Sequence, residues 1–308
     1  MQEMTEILTL IEQIDAKGRV PSRSWSAAWQ FTSADLGLVD DGVHLAWPVK
    51  SDHLKMDAIE AGLPDVLAVR YALIDSTNTR MVTEGSKNSV ASRLYLAEFQ
   101  YGGRGRRGRK WLSPYGRNLS MSLGMATVKD ISNLGGLSLV VGLALADGFE
   151  DLGVRDLQLK WPNDILVDGK KLSGILIELV QRQASLEYVV GMGVNVELTD
   201  QEIEAIDQPV TDLRRCGVRK SRSELIVKLI GRVQDYLAHF EREGFAPFVS
   251  AFNDIHRFHG QTCSVVTGDS SVTGVVSGVG GDGELILLTN EGEQHFHGGE
   301  VSLRQKVD

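Results

Sequence analysis

Four apolar segments, residues 157–160, 164–167, 171–180 and 186–196, follow one another closely. Asp168-Gly169 turns the middle pair tightly, so these segments read as strands that hairpin back on one another. Upstream, Val69 to Ile74 reads as a strand, Thr77 to Glu84 as a helix and Arg93 to Phe99 as a strand. Across Asn118 to Met125, Leu119, Met121 and Leu123 alternate with small polar residues, as in a strand with one buried face. Long helices are expected at Leu134 to Leu152 and at Ser221 to Glu243, the latter with Leu225, Leu229, Val233 and Leu237 at helical spacing. Strands beside long helices predict an α+β domain on a mixed central sheet.

The flanks differ from this centre. Met4, Ile7, Leu8, Ile11 and Ile14 mark a helix that Gly18 and Pro21 end. A second helix is expected from Ser22 through Trp25 and Trp29, then a hairpin of Leu36 to Val39 and Val43 to Val49 about Asp41-Gly42. This pattern is like a winged helix-turn-helix, yet residues 1–50 hold four cations against seven acids. A DNA reader brings Arg and Lys to phosphates, so a worn or repurposed winged segment is favoured over a working one. Residues 51–68 read as a linker with a short helix broken by Gly62 and Pro64. From about residue 260, Val265, Val272, Val275, Val279, Leu285 and Leu287 lie among glycine-rich turns, a small all-β module. The chain divides at 1–64, 65–258 and 259–308.

At 308 residues the chain needs no staples to bury a core. Two cysteines, Cys216 and Cys263, make neither a disulfide framework nor a four-ligand zinc site, and suit a reduced cytoplasmic setting. No apolar run is expected to span a bilayer, the best being Leu137 to Leu145, and no secretory signal is expected. The net charge of −9 argues against general nucleic-acid binding.

Against that charge, residues 98–111 carry five cations and one acid, with glycines between the arginines: Gly103-Arg104-Gly105-Arg106-Arg107-Gly108-Arg109-Lys110-Trp111. A loop of this kind closes over an anion; alone it equally suits a solvated loop or an RNA-binding segment. Lys160-Trp161-Pro162-Asn163-Asp164 is a bend that presents Lys160 to phosphate and Asp164 to Mg²⁺ or a hydroxyl, or else a plain turn with an ion pair. Lys171-Leu172-Ser173-Gly174 follows the hairpin from Asp164, which brings Lys171 near it. Asp75-Ser76-Thr77-Asn78 caps a helix or aims hydroxyl and amide groups at a neutral ligand. Glycines inside the strand at Gly191-Met192-Gly193-Val194-Asn195 imply close approach to the backbone.

Together these elements resemble the biotin protein ligase family. The resemblance rests on Ser76-Thr77-Asn78, Glu98-x-Gln100-x-x-Gly103-Arg104-Gly105-Arg106, Lys160 to Asp164, Lys171-Leu172-x-Gly174-Ile175-Leu176-x-Glu178 and Gly191-x-Gly193-x-Asn195. It covers about residues 66–200, and the N-terminal segment is more weakly similar to the bifunctional ligase/repressor type. It implies a class II synthetase-like catalytic domain, a C-terminal SH3-like β-barrel, and ATP, biotin and Mg²⁺ as ligands. It further implies a carboxyl carrier domain as acceptor and a homodimer in some members, with DNA binding weakly supported here and no membrane. By the same resemblance Ser76, Thr77, Asn78, Gln100, Gly103, Arg104, Gly105, Arg106, Arg107, Arg109, Trp111, Gly174, Gly191, Gly193 and Asn195 would shape or bind biotin and the adenylate. Lys171, Arg106, Lys160 and Asp164 would serve catalysis, with Asp164 also the metal ligand. Repressor-type members stack a tryptophan on adenine; residues 207–212 here read Asp-Gln-Pro-Val-Thr-Asp, leaving aliphatic contact through Val210 as the expected substitute. A lipoate-type ligase of the same fold and a nucleic-acid-binding regulator are the alternative readings.

Overall fold

The computed structural model describes residues 2–305 except 28, 30–31, 50, 183–184, 268–269 and 299–300. The chain begins with α1 (Gln2–Lys17), β1 (Arg19–Pro21), α2 (Ser33–Leu36), β2 (Val39–Asp40) and β3 (His44–Ala46). The centre holds α3 (Met56–Gly62), β4 (Leu67–Ile74), α4 (Thr77–Gly85), β5 (Arg93–Gln100), β6 (Leu119–Thr127) and α5 (Leu137–Asp151). It continues with β7 (Leu157–Lys160), β8 (Asp164–Val167), β9 (Lys170–Arg182), β10 (Ser185–Val194), α6 (Asp200–Ala205), α7 (Arg222–Glu243) and α8 (Val249–Asp254). Last come β11 (Thr262–Thr267), β12 (Ser270–Val279), β13 (Leu285–Thr289), β14 (Gly292–Phe296) and β15 (Val301–Gln305).

Seven strands form the central sheet in the order β4-β5-β6-β10-β9-β8-β7. Only β4 and β5 run parallel, since α4 must cross between them; the other pairs are antiparallel. The sheet is therefore mixed, as the sequence predicts. One face carries the large core, where Leu119, Met121, Leu123, Val190 and Met192 meet α5 and α7. On the other face α4 packs over β5, β6, β9 and β10, with Met81 against Tyr95, Val180 and Val189. The stretch Ile131–Asp151 is, by length and composition, apolar enough to cross a membrane, which corrects the expectation from the uninterrupted apolar run. Here it lies in the core, with Leu139, Val140, Val141, Leu143 and Leu145 buried.

The N-terminal segment departs from expectation. The helix expected from Ser22 through Trp29 is a single 3₁₀ turn, Ser22–Ser24, after which Trp25 is extended (φ −85°, ψ 132°). Trp25 and Trp29 have the spacing of a helix face, but they meet edge to face at 4.8 Å beside a small core. The hairpin is shorter than read, with Val39 paired to Ala46, and β1 adds a third strand at β3. This small core is shared with the central sheet. Ile7, Leu10, Ile11 and Ile14 of α1 cluster with Phe99 of β5 and Tyr115, while Trp47 stacks on Tyr115 at 5.2 Å. Residues Leu54, Ile59 and Leu63, around α3, belong instead to the large core.

Beneath this junction lies a buried ion pair. Glu98 and Arg222 are almost wholly enclosed, with Arg222 Nη1 2.5 Å from Glu98 Oε2. Glu98 Oε1 accepts the Leu54 N–H, and Arg222 donates to the carbonyls of Asn118 and Asp52. A buried pair persists only when its remaining hydrogen-bonding groups are also satisfied, as they are here. The C-terminal strands form one antiparallel sheet, β14-β13-β12-β11-β15, joined to the large core through Cys263, Val265, Val276, Leu285 and Leu287.

Candidate active site

A cleft opens on the α4 face of the sheet, over the strands that bear the sequence motifs. Its walls include Ser76, Thr77 and Asn78, then Gln100, the loop residues Arg104 to Arg107, and Arg109 to Trp111. They also include Lys160 to Asp164, Lys171, Gly174, Gly191 and Gly193. Two expected residues do not line it. Gly103 lies behind the loop, where its carbonyl accepts the Trp111 N–H at 2.9 Å, and any Cβ there would press on the Trp111 carbonyl at 2.5 Å. Asn195 is buried, donating through Nδ2 to the carbonyls of Lys171 and Thr211.

At the inner end, Ser76 caps α4 and directs Thr77 and Asn78 inward. Gln100 Oε1 accepts from the Thr77 N–H at 2.8 Å and from Thr77 Oγ1 at 3.1 Å, which leaves its amide N–H groups as donors. Ser122 Oγ lies 2.8 Å from Thr77 Oγ1 and 2.5 Å from Asn78 Oδ1. A serine hydroxyl carries one proton, so one of those two acceptors stays open to a ligand N–H. This end thus offers both donors and acceptors to a neutral polar group.

Ser122 is a site residue that the sequence motifs do not name. Its signal is nonetheless there: Ser120 and Ser122 alternate with buried Leu119, Met121 and Leu123 on a central strand flanked by β5 and β10. Polar side chains buried on such a strand need a partner or a cavity.

The strand glycines answer specific neighbours. A Cβ on Gly191 would collide with the Asn78 amide, and one on Gly193 with the Trp111 indole. Trp111 lies across Gly193 and Gly174, its Nε1 buried with no hydrogen-bond partner. Its ring is 5.6 Å from Lys171 Nζ, within cation–π range.

The outer end is cationic. Lys171 Nζ lies 2.7 Å from Asp164 Oδ1. Arg106 reaches Asn163 Oδ1 at 3.2 Å. Burial pushes the Arg106 pKa down, Asp164 opposes that shift, and Arg107 and Arg109 add to it. The loop folds on itself as a small hairpin: Gly105 N–H donates to the Arg109 carbonyl at 2.7 Å, and Arg104 bridges to Lys110. Arg107 sits at φ 57°, a left-handed conformation that a non-glycine residue adopts at a cost.

Asp164 is the carboxylate that the cleft wall offers. Its carboxylate engages Lys171, and among the described residues no three His, Cys, Asp or Glu side chains converge to hold a metal. Val210, the expected aliphatic partner of adenine, is buried and bridges to Lys171 through the backbone; Gln208 of the same loop lines the cleft instead. Trp161 is buried and donates from Nε1 to the Gly283 carbonyl at 3.1 Å, fastening the C-terminal sheet to the cleft wall, which Leu303 also reaches.

Comparison with known proteins agrees with this arrangement. Residues 71–195 match the biotin/lipoate A/B protein ligase family, and residues 258–304 the biotin protein ligase C terminal domain. The bifunctional ligase/repressor BirA of Salmonella typhimurium is 34% identical over 252 residues, covering 82% of this chain and 78% of the relative. BirA of Escherichia coli is 32% identical over 266 residues, covering 85% and 81%. Among solved structures, the biotin protein ligase of Aquifex aeolicus in complex with biotin and ATP superposes with a TM-score of 0.67 at 30% identity, covering 78% of this chain and 99% of that one. By sequence, fold and the residues gathered in its cleft, the chain belongs to the biotin/lipoate A/B protein ligase family.

Proposed function

We propose that this protein is an ATP-dependent biotin protein ligase. The observation that carries this reading is a cleft with a neutral donor–acceptor end at Thr77, Asn78 and Gln100 and a cationic end at Arg106, Lys160 and Lys171. Biotin has matching parts: a cyclic urea that both donates and accepts, and a carboxylate. In the first step a carboxylate oxygen attacks the α-phosphorus of ATP. The bond to the β-phosphate oxygen breaks, pyrophosphate leaves, and biotinyl-5′-AMP forms.

Two anions must meet for this, and each unit pair at 4 Å opposes approach by about 4 kcal/mol at an effective dielectric near 20. Lys171 and Arg106 offset that repulsion and stabilise charge in the transition state. The glycine-arginine loop covers the mixed anhydride and keeps water from it. In the second step the ε-amine of an acceptor lysine attacks the carbonyl carbon, AMP leaves, and the nitrogen loses a proton. Asp164 would orient Lys171, a role that their 2.7 Å contact supports, and would receive that proton. Mg²⁺ would arrive on the ATP phosphates, with Asp164 of the cleft wall as the carboxylate that would help hold it.

The acceptor class is the carboxyl carrier domain of a biotin-dependent carboxylase, in a cytoplasmic setting. Support for the acceptor comes from the relative in Paracoccus denitrificans named biotin–[acetyl-CoA-carboxylase] ligase, 31% identical over 237 residues. Repression of a biotin operon is a second role, suggested by the relatives named ligase/repressor. The acidic N-terminal segment gives that role little electrostatic help. Transfer of labelled biotin from ATP and biotin to a purified carrier domain tests the ligase reading. Transfer to one lysine is expected; none with biotin, but transfer with lipoate, would replace it by the lipoate-type reading.

A further inference from the structure

We propose that Glu178 is a positioning residue that fixes the polarity of Asn78 and ties the inner pocket to the basic loop. The inference rests on the biotin ligase reading above. Glu178 lies on β9 beside the cleft but is not part of its wall. Its Oε2 accepts from Asn78 Nδ2 at 2.9 Å, and its Oε1 faces Arg104 Nη2 at 3.3 Å. Asn78 Nδ2 also donates to the Leu176 carbonyl at 3.2 Å, so both amide hydrogens are engaged.

An ionised carboxylate has only acceptors, so it forbids the flipped amide. Asn78 Oδ1 must then face Ser122 and the cavity, where it serves as an acceptor for a ligand N–H. Arg104, held by the other oxygen, donates from Nη1 to Thr79 Oγ1 at 3.1 Å on the same helix that carries Thr77 and Asn78. One carboxylate therefore orients the group that reads the ligand and anchors the first arginine of the loop that covers it. The Arg104 side chain is half exposed, so the ion pair alone adds little to stability, and orientation is its main effect.

The test uses the full chain, isothermal titration with biotin, and the lifetime of the bound adenylate. Glu178→Gln keeps the shape but removes the charged acceptor, leaving the Leu176 carbonyl alone to hold the Asn78 amide in its orientation. It is expected to raise the biotin Kd about tenfold, the scale of one charge-assisted hydrogen bond, and to shorten adenylate retention. The ATP KM and the melting temperature should stay near wild type. Selectivity for biotin over an analogue with a ureido N–H replaced by oxygen should narrow.

Asn78→Asp sets two carboxylates together and should abolish tight binding. Adding Glu178→Gln to it restores a donor opposite an acceptor at residue 178, while the Leu176 carbonyl still faces an oxygen, and should recover part of the binding. Unchanged biotin affinity and selectivity in Glu178→Gln, or no recovery in the double variant, would overturn the proposal. A wild-type protein that fails to bind biotin at all would instead refute the underlying reading.

Discussion

Lys171 is held between a carboxylate and an indole, 2.7 Å from Asp164 Oδ1 and 5.6 Å from the Trp111 ring. That placement keeps its ammonium over the cleft instead of in bulk water. Lys171→Met keeps the stem and removes the charge; adenylate formation, followed by single-turnover quench, should fall by about 100-fold or more, with folding retained. A rate within a few-fold of wild type would remove Lys171 from the chemistry. Gly191 makes a separate point at this scale, because its lack of a side chain is what admits the Asn78 amide. Gly191→Ala should displace that amide at a cost of about 1–3 kcal/mol, seen as weaker biotin binding by calorimetry with ATP binding preserved.

At the scale of elements, the capping box of α7 shows how local sequence sets a boundary. Ser221 Oγ accepts the Glu224 N–H, while Glu224 Oε2 accepts the Ser221 N–H at 3.0 Å. Ser221→Ala should lower unfolding free energy by about 1 kcal/mol in urea, leaving ligase activity intact. Elements with strong local signals are legible: the apolar strands at 157–160 and 164–167 and the helix α7, marked by its apolar spacing, fall where the sequence puts them. Short helices are not. α2 is four residues long and α6 six, too short for a 3.6-residue period to register.

The site divides the same way. Lys171, Asp164 and the glycine-arginine loop are legible because each sits in a dense local motif. Ser122 sits in no such motif, because its partner Asn78 lies 44 residues earlier on α4, and only the buried alternation of its strand marks it. The expected helix through Trp29 shows the converse error, in which helical spacing arises from packing on a common core.

At the scale of the whole molecule, three cores become one protein through a few polar and aromatic joints. His256 marks the joint between the central sheet and the C-terminal module, where Leu159 N–H donates to the Ile255 carbonyl and Arg257 N–H to the Leu159 carbonyl. Its ring nitrogens are buried without hydrogen-bond partners, and burial, then nearby His259, lowers its pKa from 6.5 to about 4. The folded chain therefore keeps His256 neutral, whereas the unfolded chain protonates it below pH 6.5. Unfolded protein then binds the extra proton, so this group's contribution to stability falls as pH drops from 6.5 toward 4 and is level above that window. The full drop is about 3 kcal/mol. Urea unfolding of His256→Gln against wild type should show a flatter pH profile in that window; parallel profiles would contradict the assignment.

The N-terminal segment is joined more tightly than a free DNA-reading module would be. Phe99 precedes Gln100 of the pocket and shares a core with α1. Beside it, Arg117 pairs with Glu202 and reaches the Gly37 carbonyl at 3.5 Å, joining that segment to α6.

The ligase reaction depends on the cleft joining a biotin carboxylate to the α-phosphate of ATP. Exchange of labelled pyrophosphate into ATP reads that step alone, without an acceptor protein. Exchange should require biotin, should not be supported by lipoate, and should be lost in Lys171→Met. Exchange with lipoate in place of biotin, or none with either acid in folded protein, would contradict it.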